Sequence, residues 1–147
     1  KRLQHNIFVS TNISTAFLPE QQISRLFSLI GQPARIQILL VIGEQEACVC
    51  HLEKALGMRQ ASISQHLMIL RKADLVTSRR DGRNIFYRIT RPEILEILHQ
   101  AAVLTGCNSE MLQALTVRPI QGCTCPDCNP GIEPNLCCQS IKPSCSS

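Results

Sequence analysis

At residue 75 the apolar period of this chain switches from 3.6 to 2, and that switch confines the fold more than any other feature. Upstream of it, Val49, Leu52, Ala55 and Leu56 mark a short helix running to Gly57, which can supply the left-handed turn that stops it. A second helix follows at once, over about Gln60 to Ala73, with Ile63, Leu67 and Leu70 on its inner face. Two short helices joined by a tight glycine-containing turn make a helix-turn-helix. Downstream, Leu75 to Arg80 and Asn84 to Ile89 flank Asp81-Gly82, a strong hairpin signal, and Ile85, Tyr87 and Ile89 alternate with Phe86 and Arg88. The segment predicts a helix-turn-helix followed by a β-hairpin wing.

The rest of the chain reads as helices built around this unit. Ile23, Leu26, Phe27 and Ile30 repeat at helical spacing between Pro19 and Gly31. Pro33 suits a first helical position, and Ile36 through Ile42 form a stretch apolar nearly all round, expected to be the central buried helix closed by Gly43. Beyond Pro92 come Ile94, Ile97, Leu98, Ala101 and Leu104, then Met111, Leu112 and Leu115. Apolar residues make up 44% of the chain, with no Trp and with Leu and Ile ahead of aromatics, a composition that favours helix packing. The expected fold is mainly α with a β-hairpin wing. The outer helices carry more apolar surface than so small a unit can cover, which suggests a homodimer.

Three parts are expected: an arm over residues 1–16, a folded unit over 17–117, and a tail over 118–147. From Pro119 the composition changes. Six of the nine cysteines and most of the prolines lie in the last 29 residues, with few large apolar side chains, so the tail cannot fold as a hydrophobic unit. It is either disordered or ordered by metal binding or docking. No apolar run approaches the ~20 residues that span a bilayer, and the first residues lack a signal-peptide pattern, which points to a cytoplasmic protein with no membrane partner. In a reducing compartment so many cysteines serve more often as metal ligands or redox thiols than as structural disulfides.

Charge and side-chain chemistry point to double-stranded DNA. The net charge is only +4, yet seven basic and two acidic residues lie between Arg71 and Arg91, a local +5. Focused positive charge is what phosphate neutralisation requires, although a solvated face has the same composition. A helix-turn-helix presents the first turns of its second helix to base edges. Gln60, Ser62, Ser64, Gln65 and His66 stand there with donors and acceptors, and glutamine can bridge adenine N6 and N7. Some of these can equally be solvent-facing or capping residues, Ser64 especially. Arg79, Arg80 and Arg83 flank the wing turn, within reach of phosphates or the minor groove, or serve only to keep an exposed hairpin soluble. Catalysis has no support: there is no phosphate loop, no zincin pattern and no credible nucleophile and base pair.

The stretch CVCHLEKALGMRQASISQHLMILRKADLVTSRRDGRNIFYRI resembles the ArsR/SmtB family of bacterial winged-helix repressors, over about residues 20 to 105. Its specific parts are the CVC-x-L start, the S-x-S-x-H-L run at Ser62 to Leu67 and the L-V-x-x-R-R-x-G-R wing. The resemblance implies a homodimeric repressor that sits on a palindromic operator and leaves when its thiols bind a toxic metal or metalloid. In arsenic- and cadmium-sensing members a CVC pair supplies two thiolate ligands, here Cys48 and Cys50. Residues two apart do not share a helical face, so both sulfurs can hold one ion only if the helix start is frayed or distorted, which would strain the helix supporting the recognition helix. A helix N-terminus also favours the thiolate.

Two sulfurs are too few, since As(III) favours three thiolates and zinc or cadmium sites commonly use four ligands. Some members take the others from cysteines in an N-terminal arm, but residues 1–47 contain none. Cys123, Cys125 and Cys128 are the obvious source, from the same subunit or its partner, with His51 and His5 as weaker nitrogen candidates. The helix after Pro92 lacks the Asp-x-His and His-x-x-Glu spacings of the family's zinc sensors. The expected inducer is As(III), with Cd(II), Pb(II), Sb(III) or Zn(II) as alternatives. Competing readings are a redox or persulfide switch on the same cysteines, and a metal-delivery protein. Cys48 and Cys50 can also be plain half-buried side chains. Cys107 is expected to be packing only, and Cys137, Cys138 and Cys145 have no assigned role.

Overall fold

A computed structural model of the chain describes residues 18–131. The expected arm over residues 1–16 with His5, and Cys137, Cys138 and Cys145, lie outside the described residues. The centre is α2 (Pro33–Ile42), which opens on a proline at its first turn and buries Ile38, Leu39, Leu40, Val41 and Ile42. A helix apolar on all sides belongs in the interior, and α2 contacts α1 (Pro19–Ile30), α3 (Val49–Leu56) and α4 (Gln60–Lys72), and also the later helices α5 (Glu93–Leu104) and α6 (Ser109–Leu115).

α3 and α4 are the two short helices expected of a helix-turn-helix. Gly57 stops α3 in the left-handed region (φ 62°, ψ 20°) and its N–H donates to the Glu53 carbonyl at 2.8 Å. Leu52 of α3 and Ile63, Leu67 and Leu70 of α4 are fully buried, each worth roughly 1.5–3 kcal/mol of apolar transfer.

The wing is β2 (Val76–Asp81) paired antiparallel with β3 (Asn84–Ile89). Asp81 pairs with Asn84, so the two-residue loop is Gly82–Arg83, one residue later than the Asp81-Gly82 signal suggests. Positive φ falls on Gly82 and not on Arg83, matching the mirror-image turn that requires glycine first. Sequence periodicity gives no sign of a third strand, yet β1 (Glu46–Cys48) pairs antiparallel with β3, Cys48 opposite Phe86, in the order β1-β3-β2. Side chains alternate across a sheet, so Glu46, Cys48, Phe86, Arg88 and Arg79 share one face.

The outer helices keep apolar surface uncovered within the subunit: on α1, Ile30 is buried, while Ile23 and Phe27 remain 53% and 51% exposed. Val103 and Leu104 at the end of α5 are exposed too. Cys107 does not pack in the core: it is exposed, 3.5 Å from the Thr105 hydroxyl. No single helix among the described residues is long and apolar enough to cross a membrane.

Candidate functional site

Two segments far apart in sequence meet on the β1 side of the sheet. The first is the β1–α3 junction. Cys48 ends β1 with extended backbone (φ −85°, ψ 165°) just before α3, and Cys50 lies in the first turn of α3. Because Cys48 stands outside the helix, the i, i+2 spacing does not turn the thiols apart, and their Sγ atoms lie 2.7 Å from each other. A strand-to-helix bend thus does what a frayed helix was expected to do. Cys48 Sγ also accepts the His51 backbone N–H at 3.4 Å, capping α3.

The second segment is 118–131, which folds back onto its own chain. Arg118 Nη1 donates to the Glu46 carbonyl at 2.7 Å, and Nη2 to the carbonyls of Val41 at 3.3 Å and Ile42 at 3.5 Å, groups at the end of α2 that a helix cannot satisfy internally. Its Nη1 also lies 3.6 Å from Asp127. Asn129 Nδ2 closes the loop by donating to the carbonyls of Cys123 at 2.6 Å and Cys125 at 3.2 Å, while the Ile120 N–H donates to Cys128 Sγ at 3.4 Å. Cys123, Cys125 and Cys128 are thereby buried in a small second core with Cys48 and Phe86, edged by Cys50 and Ile120. Buried His51 joins them: its Nδ1 is 3.3 Å from Cys128 Sγ, 3.9 Å from Cys125 Sγ and 4.0 Å from Cys123 Sγ. The potential ligand atoms of these four residues all lie within 4.8 Å of one another.

The thiols share protons unequally. Hydrogen bonds from Cys125 and then Cys48 lower Cys123 to about 4, the side of the balance that favours its thiolate. Cys48 is pushed up by its hydrogen bonds to Cys123, Cys125 and Cys50 and by burial. Burial first of all raises Cys128 to about 12, against the Ile120 N–H. For Cys125 the neighbouring Cys123 raises the value, but Cys48, His51 and the backbone at Cys128 bring it below the ordinary range. Burial pulls His51 down, yet its hydrogen bonds to Cys123 and Cys125 leave it raised. Five sulfurs and an imidazole, largely shut from water, suit a soft thiophilic ion and not a hard oxygen-seeking one.

The DNA-facing candidates divide. Gln60, Ser64 and Gln65 on α4 are exposed, and Ser62 and His66 are half-buried, with His66 Nδ1 buried and without a hydrogen-bond partner among the described residues. Arg80 and Arg83 are exposed and make no ion pair among the described residues. Arg79 is committed: its Nε lies 3.0 and 2.9 Å from the two Glu46 carboxylate oxygens, Nη2 lies 2.7 Å from Oε2, and Nη1 lies 3.3 Å from Asp81. Its guanidinium carbon sits 4.8 Å from the centre of the Phe86 ring. The Arg79 hydrogen bond holds the Glu46 carboxyl below its usual range.

Sequence reasoning missed Glu46, Arg118 and Asn129, and gave His51 little weight. His51 follows Cys50 directly, so its neighbourhood was a usable signal; Arg118 carries none for its grip on β1 and α2, where its partners are backbone carbonyls.

The profile of the bacterial regulatory protein arsR family matches residues 32–78. The chain is 33% identical over 82 residues to a protein of Synechocystis sp. described as a transcriptional repressor SmtB homolog, covering 56% of this chain and 62% of that one. It is 34% identical over 87 residues to the HTH-type transcriptional regulator KmtR of Mycobacterium tuberculosis, covering 57% and 67%. The chain thus spans about two thirds or less of these relatives' lengths. The homodimeric winged helix-turn-helix domain of Mb0332 from Mycobacterium bovis, a possible ArsR-family regulator, superposes with a TM-score of 0.53 at 26% identity, covering 60% of this chain and 82% of that one.

Proposed function

We propose that this chain, which belongs to the ArsR family of bacterial regulatory proteins, is a cytoplasmic transcriptional repressor that binds operator DNA as a homodimer and leaves it when a thiophilic metal or metalloid enters the cysteine cluster. Its relatives are transcriptional regulators, not enzymes. One observation carries the sensing half of the reading: Cys48, Cys123 and Cys125 are buried in one small cluster inside a single subunit, at the residue that caps α3. Three such sulfurs are what arsenite takes: each As–S bond would replace an As–O bond, the protonated thiols of Cys48 and Cys125 sending their hydroxides off as water, and the hydroxide displaced by Cys123 taking its proton from solvent. Once Cys48 Sγ is a ligand it is a poorer cap, α3 is disturbed, and α3 supports α4.

Reading of DNA falls to α4. Gln60, Ser62, Ser64, Gln65 and His66 supply base-edge contacts, with Arg80 and Arg83 on phosphate. A second copy covers the exposed faces that carry Ile23, Phe27, Val103 and Leu104. A second inducer class has its own support, because His51 with Cys123, Cys125 and Cys128 is a Cys3His set of the kind that holds a four-coordinate ion such as cadmium or zinc. The test is fluorescence anisotropy of the reduced protein on labelled DNA from upstream of its own gene, titrated separately with arsenite, cadmium, lead and zinc. Release by near-stoichiometric arsenite supports the first class, and release by cadmium or zinc alone supports the second. Release by oxidant, with none of the four metals acting, overturns metal sensing in favour of a thiol redox switch.

A further inference from the structure

The wing carries three arginines near its turn, and they are not equivalent. Arg80 and Arg83 are exposed, whereas Arg79 is held by both oxygens of Glu46 and lies over Phe86. Glu46 is itself held from the other side, since Arg118, the first residue of the cysteine-bearing stretch, donates to its backbone carbonyl at 2.7 Å. Glu46 and Cys48 lie on the same face of β1, and Phe86 lies under the Arg79 guanidinium and belongs to the same buried cluster as the thiols. The pair is exposed, at 52% for the arginine side chain and 25% for the glutamate, so it is weak enough for another anion to displace.

We propose that Glu46 is a decoy for DNA phosphate, a positioning residue that withholds Arg79 from the duplex for as long as the cysteine-bearing stretch is docked. The carboxylate offers Arg79 the same forked, doubly hydrogen-bonded contact that a phosphate offers. With the stretch docked, Arg118 fixes β1 in register against β3 and the wing meets DNA with Arg80 and Arg83. With the stretch released, β1 loses that anchor, Glu46 no longer competes, and Arg79 adds a phosphate contact in each subunit. Docking of the thiol stretch thus lowers DNA affinity through charge, in addition to its effect on α3. The inference rests on the reading that the wing binds DNA.

The test is a double-mutant cycle read by the salt dependence of operator binding, with thermal melts to confirm folding. Glu46→Gln should steepen the slope of log affinity against log salt by about 0.9 per subunit, so that the affinity ratio between 50 and 200 mM salt grows by a factor of about 3.5 per subunit. Arg118→Gln should do the same by loosening β1. Both gains should vanish when Arg79→Gln is added, and Arg79→Gln alone should change little. A gain that survives Arg79→Gln would mean that Glu46 acts only by general repulsion, and it overturns the proposal. A gain in Glu46→Gln without one in Arg118→Gln overturns the link to the cysteine stretch. Wild-type protein that fails to bind DNA at all removes the underlying reading, and the decoy with it.

Discussion

Cys128 Sγ stands 3.3 Å from His51 Nδ1, although 77 positions separate the two residues in the chain. One belongs to a proline- and cysteine-rich stretch with no hydrophobic core of its own, the other to the first helix of the helix-turn-helix. Anything that binds between them acts on both.

His51 therefore separates the two proposed inducer classes. Replacing it with Gln should leave the arsenite concentration needed for release unchanged, because arsenite needs only sulfurs. Release by cadmium should require about tenfold more metal or worse, the scale on which lost ligand-sphere partners are felt. Anisotropy titrations with both inducers make the comparison; equal losses for the two would sink the distinction.

Cys48→Ser removes the sulfur but keeps a side chain that caps helices well. Operator affinity should stay within about twofold of wild type, a change of ~0.4 kcal/mol, while arsenite no longer releases the DNA. Cys50→Ser tests the second thiol of the pair in the same way. Full arsenite response in both variants would remove the CVC pair from the proposed site.

Base reading and phosphate holding should respond differently to mutation. Gln65→Ala is expected to relax preference among operator variants, with about 1–3 kcal/mol of discrimination lost at one base pair. Arg83→Gln should weaken binding to every sequence alike and reduce the salt slope by about one per subunit. Competition binding across a panel of operator variants at several salt concentrations reads both effects, and indistinguishable profiles would refute the division of labour.

Leu104 is 88% exposed at the end of α5. If a second copy covers it, Leu104→Glu buries a charge in that interface and should yield monomers by sedimentation, with operator affinity collapsing and the thermal melt of the subunit core nearly unchanged. A variant that sediments as a dimer and still binds DNA would place the interface elsewhere.

Long repeats were legible in the sequence, and short or distant relationships were not. α4 and the β2–β3 hairpin each maintain one period over six or more residues, α2 is a nearly unbroken apolar run, and each falls within a residue or two of the expected place. β1 has three residues, too few for alternation to register, so neither the third strand nor the placement of Cys48 outside α3 could be read. Arg79 looks like a free wing cation until its partner is found 33 residues earlier. For the cysteines, clustering was visible and the partners were not. That Cys123, Cys125 and Cys128 meet Cys48 and His51 of the same chain depends on Arg118 gripping the end of α2, a contact with backbone oxygens that no side-chain pattern announces.

The attachment made by Arg118 has an evolutionary consequence. In the proposed reading, inducer choice rests largely on fourteen residues, 118–131, fastened to the β1–α3 corner, while operator choice rests on α4 and the wing. A lineage can exchange a thiol for an imidazole or a carboxylate in that stretch and acquire a new inducer while its operators stay as they were. Selection on metal preference and selection on target genes can therefore proceed on different timetables within one small protein.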